Sequence, residues 1–165
     1  MKVEFNELPD HARVWVYAAS KPLTQQEKDV IQADADKFTD EWTAHQMPLK
    51  ASFTIINDIF LVFAVDIAHH DISGCGIDKS VHLVQKWEQQ LNIPLFNRLQ
   101  VEFEADNKIE VGSKARVAEL FANGRINEQT VFYNKVVNNL GELRNSFRIA
   151  LKDSWVYKQL PKQTA

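Results

Sequence analysis

The chain has 165 residues, 45% hydrophobic and 25% charged, with a net charge of −3, one cysteine, five glycines and five prolines. This composition suits a single soluble globular domain and rules out a disulfide framework within the chain. No apolar run approaches the roughly 20 residues that span a bilayer, and the opening MKVEFNELPDHARVWVY is too acidic for a secretory signal.

A single cysteine fits a reducing compartment, so a cytoplasmic location is expected, with no membrane partner. Charge is uneven along the chain. Residues 1–104 hold 9 Lys and Arg against 16 Asp and Glu, whereas residues 105–165 hold 10 against 6. The last third is therefore net +4, which can attract an anionic partner. Alternation of these charges with apolar residues reads instead as ordinary solvated faces. No Arg/Lys cluster with interleaved aromatics is present, so nucleic acid is not the expected partner.

In chain order, RVWVYA at Arg13 to Ala18 is β-branched and aromatic and predicts a first strand. KPLTQQEKDVIQADADKFTDEWTAH predicts a helix, because Thr24 and Glu27 have capping-box spacing. Ile31, Ala35, Phe38 and Trp42 then recur on one helical face, and Asp29, Asp36, Asp40 and Glu41 fall on the solvated side. LKASFTIINDIFLVFAVD predicts a hairpin closing on Asn57-Asp58, residues that tolerate a positive φ. Its second strand, Ile59 to Val65, is apolar on both faces and belongs at a sheet centre.

A helix is expected from Asp78 to Leu91, with Val81, Val84, Trp87 and Leu91 inward and Lys79, His82, Lys86 and Gln90 outward. RLQVEFEADNKIEVGS alternates through Leu99, Val101 and Phe103, turns at Asp106-Asn107 and returns through Ile109 and Val111. SKARVAELFANG predicts a further helix ended by Gly124, followed by strands near Thr130–Tyr133 and Phe147–Leu151. The order over residues 13–104 is β-α-β-β-α-β, the ferredoxin-like pattern of an α+β fold. One domain over residues 1–165 is expected, with residues 105–165 as a C-terminal extension packed on that core. Trp15, Trp42, Trp87 and Trp155 are read as core or interface residues.

The stretch HHDISGCGIDKSVH, His69 to His82, concentrates chemistry: three histidines, the one cysteine and two glycines. Together with RVWVY, LKASF, FNRLQV and a late SW, its SGCGIDKSVH resembles a family of small uncharacterised bacterial proteins carrying the label "ABC transporter ATPase". The resemblance covers nearly the whole chain. It implies nucleotide motifs: Ile72–Gly76 against LSGGQ, Ser73–Ser80 against GxxxxGK[ST], and FLVFAVD against the strand whose Asp holds magnesium. The residues themselves argue otherwise. A phosphate loop needs glycine before its lysine so that bare amides wrap the phosphates. Asp78 stands there, Ser73 replaces the first glycine, and no Gly-rich loop precedes residue 74. ATP hydrolysis is the least favoured function.

Three other chemistries fit the same residues. Cys75 near a helix start could be a thiolate nucleophile with His69, His70 or His45 as base. The competing reading makes Cys75 a small hydrophobe in a Gly-flanked turn. A metal could draw on His69, His70, Cys75 and His82, but their spacing matches no zinc pattern, so neither metal nor cofactor is expected. Ser73, Gly74, Gly76, Asp78, Lys79 and Ser80 could hold a small anion on backbone amides, unless Asp78 is itself the N-cap and fills them. The expected function is a non-enzymatic module that binds a small anion or a protein through residues 73–80. A Cys75-dependent enzyme is the alternative. By fold analogy a homodimer, paired through such a sheet, is the expected assembly.

Overall fold

The structure is a computed structural model and describes residues 1–44, 46–68 and 74–161, the side chains of Gly74 and Cys75 excepted. The fold is α+β. In chain order its elements are β1 (Arg13–Ala18), α1 (Gln25–Glu41), β2 (Thr43–Ala44), β3 (Met47–Pro48), β4 (Ala51–Ile56), β5 (Phe60–Val65) and α2 (Gly74–Leu91). Then follow β6 (Gln100–Ala105), β7 (Lys108–Ser113), α3 (Lys114–Ala122), β8 (Val131–Tyr133), α4 (Leu140–Ser146) and β9 (Arg148–Ala150). Short 3-10 turns lie at Phe5–Glu7, Leu151–Asp153 and Tyr157–Gln159. The chain divides into two compact units, Met1–Phe96 with Val136–Arg144, and Asn97–Lys135 with Asn145–Ala165.

The first unit is built on an antiparallel sheet of order β1-β5-β4. The hairpin between β4 and β5 turns at Asn57 and Asp58, with φ of 55° and 60°. Both residue types accept this left-handed region at low cost, which is why the turn was legible. All six residues of β5 are buried, as expected for a central strand with apolar residues on both faces.

Helix α1 starts where its cap chemistry places it. The Thr24 hydroxyl accepts from Glu27 N–H at 3.2 Å, and the Thr24 N–H donates back to Glu27 Oε1 at 2.9 Å. These two bonds satisfy two orphan donors of the first turn. Thr24→Ala is expected to lower stability by about 1 kcal/mol, with Thr24→Ser nearly neutral. Thermal unfolding of the two variants side by side checks this; equal losses would show that the hydroxyl is not the cause.

Ile31, Ala35, Trp42, Phe53, Leu61, Phe63, Val65, Val84 and Trp87 form one buried cluster, with Trp15, Tyr17 and Phe38 packed against it. The stripes of α1 and α2 thus meet the face of the sheet that carries Phe53, Leu61 and Phe63. Phe63 is the hub. Its ring centroid lies 4.9 Å from Phe53, 5.9 Å from Phe38, and 6.1 Å from both Trp42 and Trp87.

β1, α1 and β4, with β5 between the strands, form the first half of the expected ferredoxin-like arrangement. The second half differs. Its last strand, β6, belongs to a separate four-stranded sheet of order β7-β6-β8-β9. Two pairings account for this. β6 closes a hairpin with β7 over Asp106 and Asn107, whose φ values are 53° and 63°, so its nearest partner in sequence takes one edge. The outer edge of β1 is meanwhile engaged by residues from later in the chain. Val14 N–H donates to the Asn138 carbonyl at 3.1 Å, and Leu140 N–H donates to that of Ala12 at 2.8 Å.

The second unit packs α3 on one face of its sheet, with Val101, Phe103, Val117, Leu120, Ile126, Phe132, Leu151 and Val156 as core. Ser113 caps α3 by accepting from Arg116 N–H at 3.2 Å. Gly124 follows its C-terminus at φ 80°, a conformation that glycine adopts without a Cβ penalty. Leu99, expected to start the inward stripe of β6, lies outside the strand and is 78% exposed.

Candidate functional site

The sequence directs attention to the start of α2. His45, His69, His70 and Ser73 lie outside the described residues, as do the side chains of Gly74 and Cys75. The Cys75–histidine pairing therefore falls outside them as well. The described part of the stretch differs from expectation in one respect that matters. α2 begins at Gly74, so Asp78 is not its N-cap but the fifth helical residue, exposed to solvent. Two glycines in a first turn cost roughly 1 kcal/mol each relative to alanine. A tertiary contact offsets this: the Trp42 indole N–H donates to the Gly76 carbonyl at 3.1 Å, tying the end of α1 to the first turn of α2.

Lys79 and Ser80, adjacent in sequence, diverge in space. Lys79 is exposed and lines a hollow of about 200 Å³ with Phe38, Glu41, Trp42 and Thr43. Ser80 is fully buried, and its hydroxyl donates to the Ile77 carbonyl at 2.6 Å. It cannot serve as an anion ligand there, which corrects its place in the expected binding set. Burial pushes the hydroxyl of Tyr17 above its usual pKa, and the influence of the Ser80 side chain opposes the shift.

The nucleotide-motif reading loses its other anchor too. Asp66, in the place of a magnesium-binding aspartate, is engaged locally. Its Oδ1 accepts from Ala68 N–H at 2.9 Å and stands 3.1 Å from His11 Nε2. His82 is exposed on α2. Among the described residues no group of three or more His, Cys, Asp and Glu side chains could hold a metal ion. None of the described helices is long and apolar enough to cross a membrane.

A second cluster was not anticipated. It lies on the face of the second unit's sheet opposite α3. Phe103 pairs with Phe132 on the core side, so strand alternation sends Gln100, Glu102, Glu104 and Tyr133 to the other side. Arg148 joins them through its pairing with Tyr133. Glu104 Oε1 accepts from the Tyr133 hydroxyl at 2.8 Å and from Arg148 Nη2 at 3.1 Å.

Glu102 is the unusual member. It is 0% exposed, with Lys135 Nζ 2.5 Å from its Oε1. Neither carboxylate oxygen has a well-directed hydrogen bond among the described residues, and Lys135 donates instead to the Gln100 carbonyl at 2.9 Å. The interaction is thus a charge pairing in which direction is poor. Burial pushes the Glu102 carboxyl above its usual pKa, while the Lys135 ammonium, helped by the Gln100 side chain, pulls it down. In QVEFEA the alternation of charged and apolar residues suggested a solvated second face. The only hint to the contrary was a lysine thirty-three residues away, which spacing alone cannot pair with Glu102.

No protein-family profile, curated protein sequence or solved structure matches this chain.

Proposed function

We infer that the protein is a binding module that takes up a small anion at the start of α2. One observation carries the reading: α2 starts at Gly74, one turn before Asp78. The aspartate that would otherwise fill the first-turn amides is therefore removed from them. The positive end of the helix dipole lies at this first turn and favours an anion. Lys79, exposed on the second turn, adds a mobile cation at the rim.

The site needs no catalytic group, and Ser80 and Asp66, the residues a nucleotide hydrolase would use for magnesium, are spent on internal hydrogen bonds. Titration with inorganic phosphate, followed by amide NMR shifts, tests this function. Saturable shifts centred on Gly74 to Ile77 are expected, with affinity falling about threefold in Lys79→Ala, the scale of one exposed charge. Shifts that fail to saturate at millimolar phosphate, or that centre elsewhere, would remove the reading.

A further inference from the structure

We propose that the second unit holds a separate site for a small planar aromatic ligand carrying one anionic group, in the hollow between α3 and the turn at Tyr157–Gln159. The hollow measures about 680 Å³ and is lined by Phe121, Glu128, Lys152, Tyr157, Lys158 and Leu160, with Pro161 at its end. That volume falls in the range of roughly 300–1,000 Å³ usual for small-molecule sites.

Its chemistry is divided. Phe121 and Tyr157 meet edge to face, with ring centroids 5.9 Å apart and planes at 69°. Both rings, with Leu160, are partly buried and rest on the unit's core, so they form a fixed apolar floor. Aromatic floors of this kind favour planar partners, which stack or meet them edge-on. The polar side is cationic. Lys152 and Lys158 are exposed, and neither forms an ion pair among the described residues. Among the described lining residues the one carboxylate, Glu128, is committed: its Oε1 accepts from the Tyr157 hydroxyl at 2.7 Å. Its carbonyl holds Lys152 N–H at 3.0 Å, which fixes the lysine backbone at the rim. Two uncommitted ammonium groups beside a rigid aromatic floor match an aromatic carboxylate or sulfonate. This also gives the basic last third of the chain a specific use.

The site is independent of the anion site on α2, and the experiment separates them. The full chain is titrated with anilinonaphthalene sulfonate, an aromatic anion whose fluorescence rises on binding, and with the uncharged N-phenylnaphthylamine. The expected result is saturable one-to-one binding of the sulfonate. Affinity should fall about tenfold in the exposed-lysine double variant Lys152→Ala/Lys158→Ala, as for loss of charge-assisted contacts. It should persist in Lys152→Arg/Lys158→Arg and in Lys79→Ala, and the uncharged probe should bind more weakly than the sulfonate. Non-saturable binding, equal affinity in the double alanine variant, equal binding of the uncharged probe, or loss in Lys79→Ala would each overturn the proposal.

Discussion

Replacing Lys135 with alanine is expected to destabilise the second unit by about 3–5 kcal/mol near neutral pH, because it strands a buried carboxylate without its counter-charge. Lys135 is the only cation whose ion pair with Glu102 is seen among the described residues, and Glu102 is wholly enclosed. Removing the ammonium also removes the influence that holds the Glu102 pKa down against burial.

The dependence on pH follows from that direction. The folded-state pKa of Glu102 already lies above its usual value. Its contribution to stability is thus fullest below the unfolded pKa and is lost as pH rises through the folded pKa. In Lys135→Ala the folded value moves further up, so the loss widens at neutral pH and shrinks in mild acid, where the protonated carboxyl needs no partner. Glu102→Gln in the same background should restore much of the loss at neutral pH. Hydrogen exchange at the β6 and β8 amides reads the second unit by itself, which suits a chain whose two units need not unfold together. A loss below about 1 kcal/mol at neutral pH, where a buried pair should give several, would mean that water reaches Glu102.

The second large effect belongs to the first unit. Phe63→Ala is expected to cost about 3–5 kcal/mol, the usual toll for truncating a buried ring. Phe63 is fully buried, and Tyr17, Phe38, Trp42, Phe53 and Trp87 all contact it. It stands on the central strand, where the stripes of both helices converge, so collapse into the gap would have to move several elements at once. Phe63→Leu, which keeps most of the volume, should cost less than about 1.5 kcal/mol. Denaturant unfolding followed by tryptophan fluorescence reports on this cluster, since Trp15, Trp42 and Trp87 all belong to it. Similar costs for the two variants would show that lost ring contacts, and not the cavity, set the energy.

Both predictions rest on side chains whose partners lie far away in sequence, and this marks the boundary of what sequence could disclose about the site. The local chemistry of SGCGIDKSVH was legible to the extent that it excluded a phosphate loop: Asp78 occupies the place of a needed glycine. The role of Asp78 as a cap was not legible correctly. A helix start depends on what offsets its glycines, and here the indole of Trp42, thirty-four residues earlier, binds the Gly76 carbonyl. Ser80 was equally deceptive, since a serine beside an exposed lysine reads as a surface pair until the helix turns it into the interior, where its hydroxyl donates to the Ile77 carbonyl.

Sequence by itself determined those features that a few neighbouring residues decide. The Thr24–Glu27 capping box, the turns at Asn57-Asp58 and Asp106-Asn107, the stripe from Ile31 to Trp42 and the two-faced burial of β5 all stand where residue type and spacing put them. Each is a short-range balance of backbone sterics, capping bonds and periodicity, complete within one or two turns of chain. Tertiary structure alone decided the competition for edges and faces. β6 left the first sheet because its own hairpin mate took one edge, while residues 138–140 engaged β1. Glu102 became buried through tertiary packing beside the distant Lys135, not because its own stretch of sequence is apolar. Strand pairing and burial are settled by whichever distant segments arrive, and their free energy depends on surfaces that no local window contains.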